Sequence, residues 1–235
     1  MNIEKKYDLL INLNFNNLIS KKFFSKKFKK KYKSLAYTVI LRHEKINNNI
    51  ASQIFTKIGP LAFLPISNIE TSIVYSIKNS ANIKKENLIE LINLHNLNYK
   101  IKKIEKISSF KLSSMNLRRY YHKNILAFGE LTHKIHPLAG QGFNMIIRDI
   151  KTLLAIVKYK VDLGMPLDTS VNKEFEKETK TKNYLFSNGI DLIYELFNLE
   201  SKLDNNILSK SIKYFGQNSS LNKIFTKIAD KGSIL

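Results

Sequence analysis

The chain has 235 residues, of which 39 are lysine or arginine and 19 are aspartate or glutamate, and its formal net charge is +20. A content of 43% hydrophobic and 25% charged residues is typical of a globular protein large enough to bury a core. The absence of cysteine excludes disulfides and thiolate chemistry, and no apolar run approaches the roughly 20 residues of a membrane-spanning helix.

The net charge has two interpretations. Lysine supplies most of it, since arginine occurs only at Arg42, Arg118, Arg119 and Arg148. A strongly basic surface could attract nucleic acid or an anionic membrane. The abundance of lysine, asparagine and isoleucine is also expected of an A+T-rich genome, and lysine forms a solvated surface without a partner. We favour the compositional interpretation and do not expect nucleic acid as a partner.

The first predicted element is a buried strand over residues 7–13. Residues 21–33 then interleave lysines with aromatic side chains. Such a segment could bind an anionic lipid surface or single-stranded nucleic acid. It could also form a short surface helix or loop with Phe23, Phe24 and Phe28 turned inward. We favour the surface helix or loop, with the membrane surface as the better functional alternative.

The middle of the chain predicts a sheet with one helix. Residues 34–43, 50–58 and 71–77 are rich in β-branched and aromatic side chains and are separated by turn residues. Residues 84–94 have the apolar spacing of a helix, and residues 99–108 alternate isoleucine with lysine, which predicts a further strand. Short connections between the strands favour antiparallel pairing.

The stretch from residue 125 predicts a strand, a loop and a long helix. An apolar run ends at Gly129, the loop contains Pro137, Gly140 and Gly142, and apolar residues recur at helical spacing from about Gln141. Small residues let a backbone approach a flat or charged partner, and a helix start presents free N–H groups and partial positive charge. These features predict a site for a cofactor with phosphate and polyol parts.

The C-terminal region predicts a helical tail. The long helix is expected to end within residues 162–166, which include Gly164 and Pro166. From Ser170 the sequence predicts two or three further helices, broken near Asn188-Gly189 and Gly216-Gln217.

Residue spacing does not support other kinds of site. His133 and His136 are too close to Pro137 to share a helix face, and no Asp, Glu or Cys lies at metal-ligand spacing from them, so no metal is expected. His133 is predicted to be a structural residue of the loop. A serine hydrolase is excluded because the sequence has no Gly-x-Ser-x-Gly elbow.

Residues 133–149 resemble the second flavin motif of the ubiquinone-biosynthesis aromatic-ring hydroxylases, which are FAD-dependent monooxygenases with the p-hydroxybenzoate hydroxylase fold. That family has Gly-Asp-Ala-Ala-His, then His-Pro-x-x-Gly-Gln-Gly-x-Asn, then Arg-Asp. Residues 59–67 also resemble the family's substrate-domain segment, and the resemblance covers roughly residues 7–160. The residues that match at the family's spacing are Gly129, His133, His136, Pro137, Gly140, Gln141, Gly142, Asn144, Arg148 and Asp149.

The resemblance implies an enzyme that holds FAD, reduces it with a nicotinamide and transfers oxygen to the aromatic ring of a ubiquinone precursor. It implies that Gly129 and Glu130 lie beside the ribityl and pyrophosphate groups of FAD. The helix start near Gln141 would stabilise negative charge on the reduced ring. No catalytic residue is assigned. The residues implied to line the isoalloxazine edge are Pro137, Gly140, Gly142 and Asn144.

Departures from the family bear on cofactor binding. No Gly-x-Gly-x-x-Gly follows an early strand, and in the family that unit holds the ADP half of FAD. Asn14 and Phe15 stand where the family has Asp-Gly, which places a bulky side chain where a glycine would admit the cofactor. Glu130 replaces an Asp that meets the ribityl hydroxyls. We therefore expect this chain alone to bind FAD weakly or not at all and to be inactive by itself.

The same departure bears on two predicted strands. In the family, the strands that correspond to residues 9–13 and 125–128 pair with strands of the Gly-rich unit. We therefore expect both strands to have uncovered edges in this chain. An uncovered apolar edge invites pairing with another chain, so the protein is expected to self-associate or to need a partner.

The predicted fold class is α+β, with a mostly antiparallel substrate-domain sheet, a remnant of an FAD-binding α/β domain and a helical C-terminal tail. The FAD-domain remnant is assigned to residues 1–33 and the substrate-domain sheet with one helix to residues 34–124. The second flavin motif is assigned to residues 125–165 and the tail to residues 166–235.

Three functional interpretations stay open. The chain is the C-terminal portion of a hydroxylase, a decayed non-catalytic fragment, or a basic module that binds a membrane surface. The expected partners are a separately encoded N-terminal half or a second copy of the chain, with peripheral contact to an anionic membrane. A cytoplasmic location, peripheral at the inner membrane face, is expected because a polyprenylated substrate would reside in that membrane.

Overall fold

A computed structural model of the chain describes residues 7–78, 83–96, 98–137 and 140–203. These residues form two compact units. The first unit contains the residues up to Lys30 together with Ser113–Leu196, and the second contains Lys31–Leu112 and a short segment that begins at Phe197. The predicted helix break near Gly216-Gln217 lies outside the described residues.

The described residues form strands and helices in a mixed order. The strands are β1 (Leu10–Asn12), β2 (Lys27–His43), β3 (Ser52–Thr56), β4 (Gly59–Ser67), β5 (Glu70–Lys78), β6 (Ile101–Ile104), β7 (Ser108–Leu117), β8 (Tyr121–His122), β9 (Ile125–Ala127) and β10 (His133–Lys134). The helices are α1 (Leu18–Phe23), α2 (Lys85–Leu94), α3 (Gln141–Asp162) and α4 (Thr169–Leu203), with a 3-10 turn at Gly129–Leu131.

The second unit is an antiparallel sheet with one helix packed on it. The strands lie in the order β2-β5-β4-β3, and β6 pairs with the last residues of β2. Tyr37 of β2 lies opposite Tyr75 of β5, and both are buried in a core that includes Leu88 and Ile92 of α2. A shift of one residue would turn these apolar side chains to the other face, so burial fixes the strand register.

The predicted elements of this unit are present, but their bounds differ. The basic segment over residues 21–33 is predicted to be a surface helix or loop. In the structure only its first residues belong to α1, and β2 begins within it at Lys27. The sequence does not predict β4, because Pro60 and Pro65 argue against an interior strand. Pro60 precedes the pairing of β4 with β5, which begins at Leu61, and Pro65 lies at a register shift. A sheet tolerates proline where one side of the strand is unpaired and at irregularities of the register.

Gly59 is required by the packing of its own hairpin. It lies opposite Thr56 across a two-residue turn and has a φ of 144°, a backbone conformation that side-chain-bearing residues avoid. A Cβ at this position would lie 1.8 Å from the backbone oxygen of Ser76. Neither the backbone of Gly59 nor that of β5 can move without breaking the sheet.

Replacement of Gly59 by alanine is therefore expected to destabilise the second unit by about 3 kcal/mol or more. Gly189 lies exposed in α4, and no atom lies within 4 Å of the place that its Cβ would take. Gly189→Ala is thus the matched control and should stabilise its helix by about 0.5–1 kcal/mol. Chemical denaturation of both variants measures the difference. A Gly59→Ala protein as stable as the parent would contradict this account.

The first unit contains a three-stranded sheet in the order β1-β9-β8. β1 runs parallel to β9, with Ile11 opposite Leu126, and β8 is antiparallel to β9. Leu126 is fully buried in a core to which Leu153 of α3 and Phe175 of α4 contribute. Separately, β10 pairs antiparallel with β7.

Two expectations for the first unit need correction. The strand that begins at Ile125 does not have an uncovered edge, because β9 is flanked by β1 on one side and β8 on the other. The predicted helix break near Asn188-Gly189 is also wrong, because α4 continues through these residues to Leu203. One helical glycine costs only about 1 kcal/mol, and the buried residues Phe175, Ile190 and Tyr194 hold the helix in place.

The architecture as a whole is α+β with a mostly antiparallel sheet, as the sequence predicts. Within the part of the chain that the structure describes, no helix has both the length and the apolar character needed to cross a bilayer.

Candidate functional site

The carboxyl ends of β1 and β9 meet at one edge of the first unit because these two strands are parallel. The Phe128 N–H donates to the Asn12 carbonyl over 3.0 Å, so both strands end side by side. Gly129 follows β9 with a φ of 65°, and the nearest atom to a Cβ there would be Leu13 Cδ2 at 3.8 Å. A glycine is therefore favoured here by the positive φ and not by close packing. The neighbouring Glu130 is exposed.

Asparagine side chains organise the segment after β1. The Asn12 amide donates to the Ser20 hydroxyl over 2.8 Å, and the Asn17 amide donates to the Asn12 side-chain oxygen over 2.7 Å. Asn17 also caps α1 by accepting from the Ser20 N–H. Phe15, expected to obstruct the site, instead packs against the core of the first unit. The polar groups of this segment thus bond to one another.

α3 contacts the 3-10 turn that begins at Gly129. Gly140 is its N-cap with a φ of 64°, and no side chain caps the helix. The first turn contains no acidic residue, so the backbone N–H groups and the positive end of the helix dipole are available to an anion. Nothing lies within 4 Å of a Cβ placed on Gly140.

Most of the predicted cofactor residues belong to two elements of the first unit that contact each other, the 3-10 turn and α3. Gly129 and Glu130 belong to the turn after β9, and Gln141, Gly142 and Asn144 belong to the first turn of α3. Asn144 donates its amide to the Gln141 side-chain oxygen over 3.4 Å. The half-buried Pro137 precedes residues 138 and 139, which lie outside the described part of the chain.

A buried hydrogen bond joins the loop before α3 to the helix itself. The His133 Nε2 lies 2.7 Å from Asp149 Oδ2, and these side chains are 1% and 2% exposed. The imidazole N–H must donate here, because a carboxylate only accepts. The Asn183 amide of α4 donates to both oxygens of the same carboxylate, over 2.9 and 3.1 Å. The carboxylate thereby bonds to two further elements of the unit.

Tyr120 and His136 complete the buried polar surroundings. Tyr120 bonds to Asn183, and burial, followed by the negative charge of Asp149, raises the pKa of its phenol. His136 packs against Tyr194, with ring centroids 4.3 Å apart and ring planes tilted by 31°. Burial, followed by the charge of Lys30, lowers the pKa of His136 to about 4, so its ring is neutral near pH 7.

Sequence reasoning identifies His133 as structural but misses its partners. Asp149 is 16 residues away and Asn183 is 34 residues beyond Asp149, so only the fold brings them together. The signal in the sequence is that both His133 and Asp149 belong to the motif that flanks the glycines. Within the described ranges no cluster of three metal-ligating side chains occurs.

Replacement of Asp149 by alanine is expected to cost about 3–5 kcal/mol, because it leaves His133 and Asn183 buried without their acceptor. Asp162 provides the control, since it is the exposed last residue of the same helix. Asp162→Ala should change the free energy of unfolding by less than about 0.5 kcal/mol. Equal effects of the two substitutions in chemical denaturation would show that the Asp149 network does not hold the unit together.

Comparison with known proteins identifies relatives of this chain. No family model matches the chain. It is 29% identical over 210 residues to a mitochondrial ubiquinone biosynthesis monooxygenase of Dictyostelium discoideum, an alignment that covers 73% of this chain and 41% of the relative. It is 28% identical over 156 residues to the 3-demethoxyubiquinol 3-hydroxylase of Escherichia coli (strain K12), covering 62% of this chain and 39% of that protein.

Solved structures share the fold. The p-nitrophenol 4-monooxygenase of Pseudomonas putida DLL-E4 superposes with a TM-score of 0.69 at 9% identity, covering 95% of this chain and 59% of that one. The anhydrotetracycline hydroxylase of Streptomyces rimosus gives a TM-score of 0.67 at 13% identity, and the superposition covers 94% of this chain and 45% of that one. The chain is thus similar in sequence to ubiquinone-biosynthesis monooxygenases, and it shares the fold of flavin-dependent hydroxylases.

Proposed function

We propose that this chain forms the substrate-domain sheet and second flavin motif of an FAD-dependent monooxygenase that hydroxylates the aromatic ring of a ubiquinone precursor. The observation that carries the proposal is the contact of α3, which begins without a side-chain cap, with the turn at Gly129, together with the buried contact of His133 with Asp149. The names of the relatives supply the reaction class, and the chain spans only about 40% of the length of those relatives.

The residues at the start of α3 and in the Gly129 turn fit one part of FAD. The free N–H groups at Gln141 and Gly142 and the open space at Gly140 suit the electron-rich edge of a flavin ring. Gly129 and Glu130 would hold the ribityl chain from the neighbouring turn. Bound FAD would supply the redox chemistry, and the protein would supply its position and the surrounding charge.

We further propose that activity requires the Gly-rich βαβ unit, which this sequence does not contain, on further polypeptide. The first unit has an apolar surface suited to such a partner. Ile11 and Leu13 at the outer strand β1 are 43% and 61% exposed. On α3, Phe143 and Leu154 are 70% and 61% exposed. Exposed apolar side chains on a helix and an edge strand favour association with another α/β layer.

Reconstitution tests this proposal. We expect the purified chain to be colourless and to retain no flavin on gel filtration. Addition of the portion of the Escherichia coli hydroxylase that this chain does not align with should restore flavin retention. Leu154→Lys should abolish the effect, because it places a charge in the proposed interface.

Ile50→Lys is the matched control, since Ile50 is 75% exposed and belongs to the second unit, whereas the proposed surface belongs to the first. It should leave reconstitution intact. Flavin retained by the isolated chain would overturn the requirement for further polypeptide, and equal loss in both variants would overturn the proposed interface.

We also propose a cytoplasmic location with peripheral contact at the inner membrane face, made by the basic segment over residues 21–33. Lys29, Lys31 and Lys33 are exposed on β2, which supports an electrostatic contact with anionic lipid. Binding to anionic vesicles should fall steeply between low and physiological salt, because the Debye length shortens to about 8 Å. Equal sedimentation with neutral vesicles, or none with anionic vesicles, would reject this contact.

A further inference from the structure

A second concave site lies in the first unit. It is a cavity of about 620 Å³ formed where the end of α1, the connection from β7 to β8, and α4 meet. The Arg118 N–H donates to the Lys26 carbonyl over 3.0 Å, and the Tyr120 N–H donates to Glu176 Oε2 over 2.6 Å. These backbone contacts fix all three walls. The volume is within the range of small-molecule sites.

The cavity is strongly positive. Among the described residues that line it, Glu176 is the one carboxylate, and it already accepts from Tyr120 and from Lys180 at 3.3 Å. The cationic side chains of the lining are Lys22, Lys26, Arg118, Arg119 and Lys180. A cleft that holds several like charges between low-dielectric walls concentrates an anion.

The two arginines set this cavity apart from the general lysine excess of the chain. Arginine occurs at only four positions, and two of them line this one cavity. Arg42 pairs with Glu70 and Glu105, whereas neither Arg118 nor Arg119 has a carboxylate partner among the described residues. A guanidinium binds a phosphate through two parallel N–H donors, which an ammonium cannot do.

Aromatic rings form another part of the wall. Phe23 and His122 stack with centroids 4.1 Å apart, and both line the cavity together with Tyr121. Arg118 is further oriented by the Phe28 ring, 5.5 Å from its guanidinium carbon. Flat apolar surface beside cationic groups suits a ligand that has a planar ring as well as an anionic group.

We propose that this cavity binds a small organic molecule that carries a phosphate or diphosphate group, with Arg118 and Arg119 as the phosphate ligands. The site is separate from the Gly129 turn and the start of α3, and the proposal does not depend on flavin binding. The shared chemistry is the phosphate group, and its source is either a soluble phosphate ester or the headgroup of a lipid.

Isothermal titration at physiological ionic strength with adenosine diphosphate, inorganic pyrophosphate and phosphatidylglycerol vesicles tests the proposal. The parent chain should bind adenosine diphosphate or pyrophosphate. The double variant Arg118→Gln/Arg119→Gln should bind about 10- to 100-fold more weakly, because it loses two bidentate contacts. The double variant Arg118→Lys/Arg119→Lys keeps the charge and should show an intermediate loss.

The control is Lys151→Gln/Lys158→Gln, which removes the same charge from exposed positions of α3. It should change the affinity less than about threefold, and circular dichroism confirms that each variant is folded. Binding of adenosine diphosphate or pyrophosphate that the glutamine variant weakens assigns a soluble phosphate ester, and binding of the vesicles alone that the glutamine variant weakens assigns a lipid headgroup. No binding of any of the three probes, or equal weakening by the glutamine variant and the control, would overturn the proposal.

Discussion

The buried contact between His133 and Asp149 is the constraint on which the candidate flavin site depends. It joins the loop after β9 to the middle of α3, and the Asn183 amide fixes the same carboxylate from α4. A carboxylate that is 2% exposed is stable only when its hydrogen bonds are complete. Any displacement of α3 relative to the loop would leave charge buried without a partner. The position of the α3 start, and hence of its free N–H groups, follows from this network.

The two ends of the candidate flavin site differ in how their polar groups are arranged. The α3 start, the Gly129 turn and their buried support all lie within one compact unit. At the end of β1, by contrast, Asn12, Asn17 and Ser20 bond to one another. The family's Asp-Gly pair, which the resemblance assigns to cofactor contact, is thereby replaced by a closed hydrogen-bond network. The same chain thus combines a candidate cofactor site that a buried network supports with an outer strand whose neighbouring side chains Ile11 and Leu13 are exposed.

The sequence predicted those elements whose bounds depend on neighbouring residues, through turn residues and apolar spacing. The helix expected from about Gln141 begins at that residue, because glycine precedes it and apolar spacing follows. The α+β class and the antiparallel sheet followed from the same periodicities.

β4 was missed because its prolines occupy tolerated positions that only the register reveals. The continuity of α4 across Gly189, and the role of Asn183, were missed because tertiary packing determines them. The basic cavity was not predicted from the sequence, because Arg118 and Lys22 are far apart in the chain and line one cavity only in the folded structure.

Nuclear magnetic resonance of the chain labelled with 15N-histidine tests the central claim most directly, because only five histidines contribute signals. The account predicts that the His133 Nε2 proton is observed without any flavin present, exchanges slowly with water and disappears in Asp149→Ala while the His95 signals stay unchanged. A His133 ring whose Nε2 proton exchanges rapidly in the flavin-free chain would contradict the account, because the loop would then depend on the cofactor and not on Asp149.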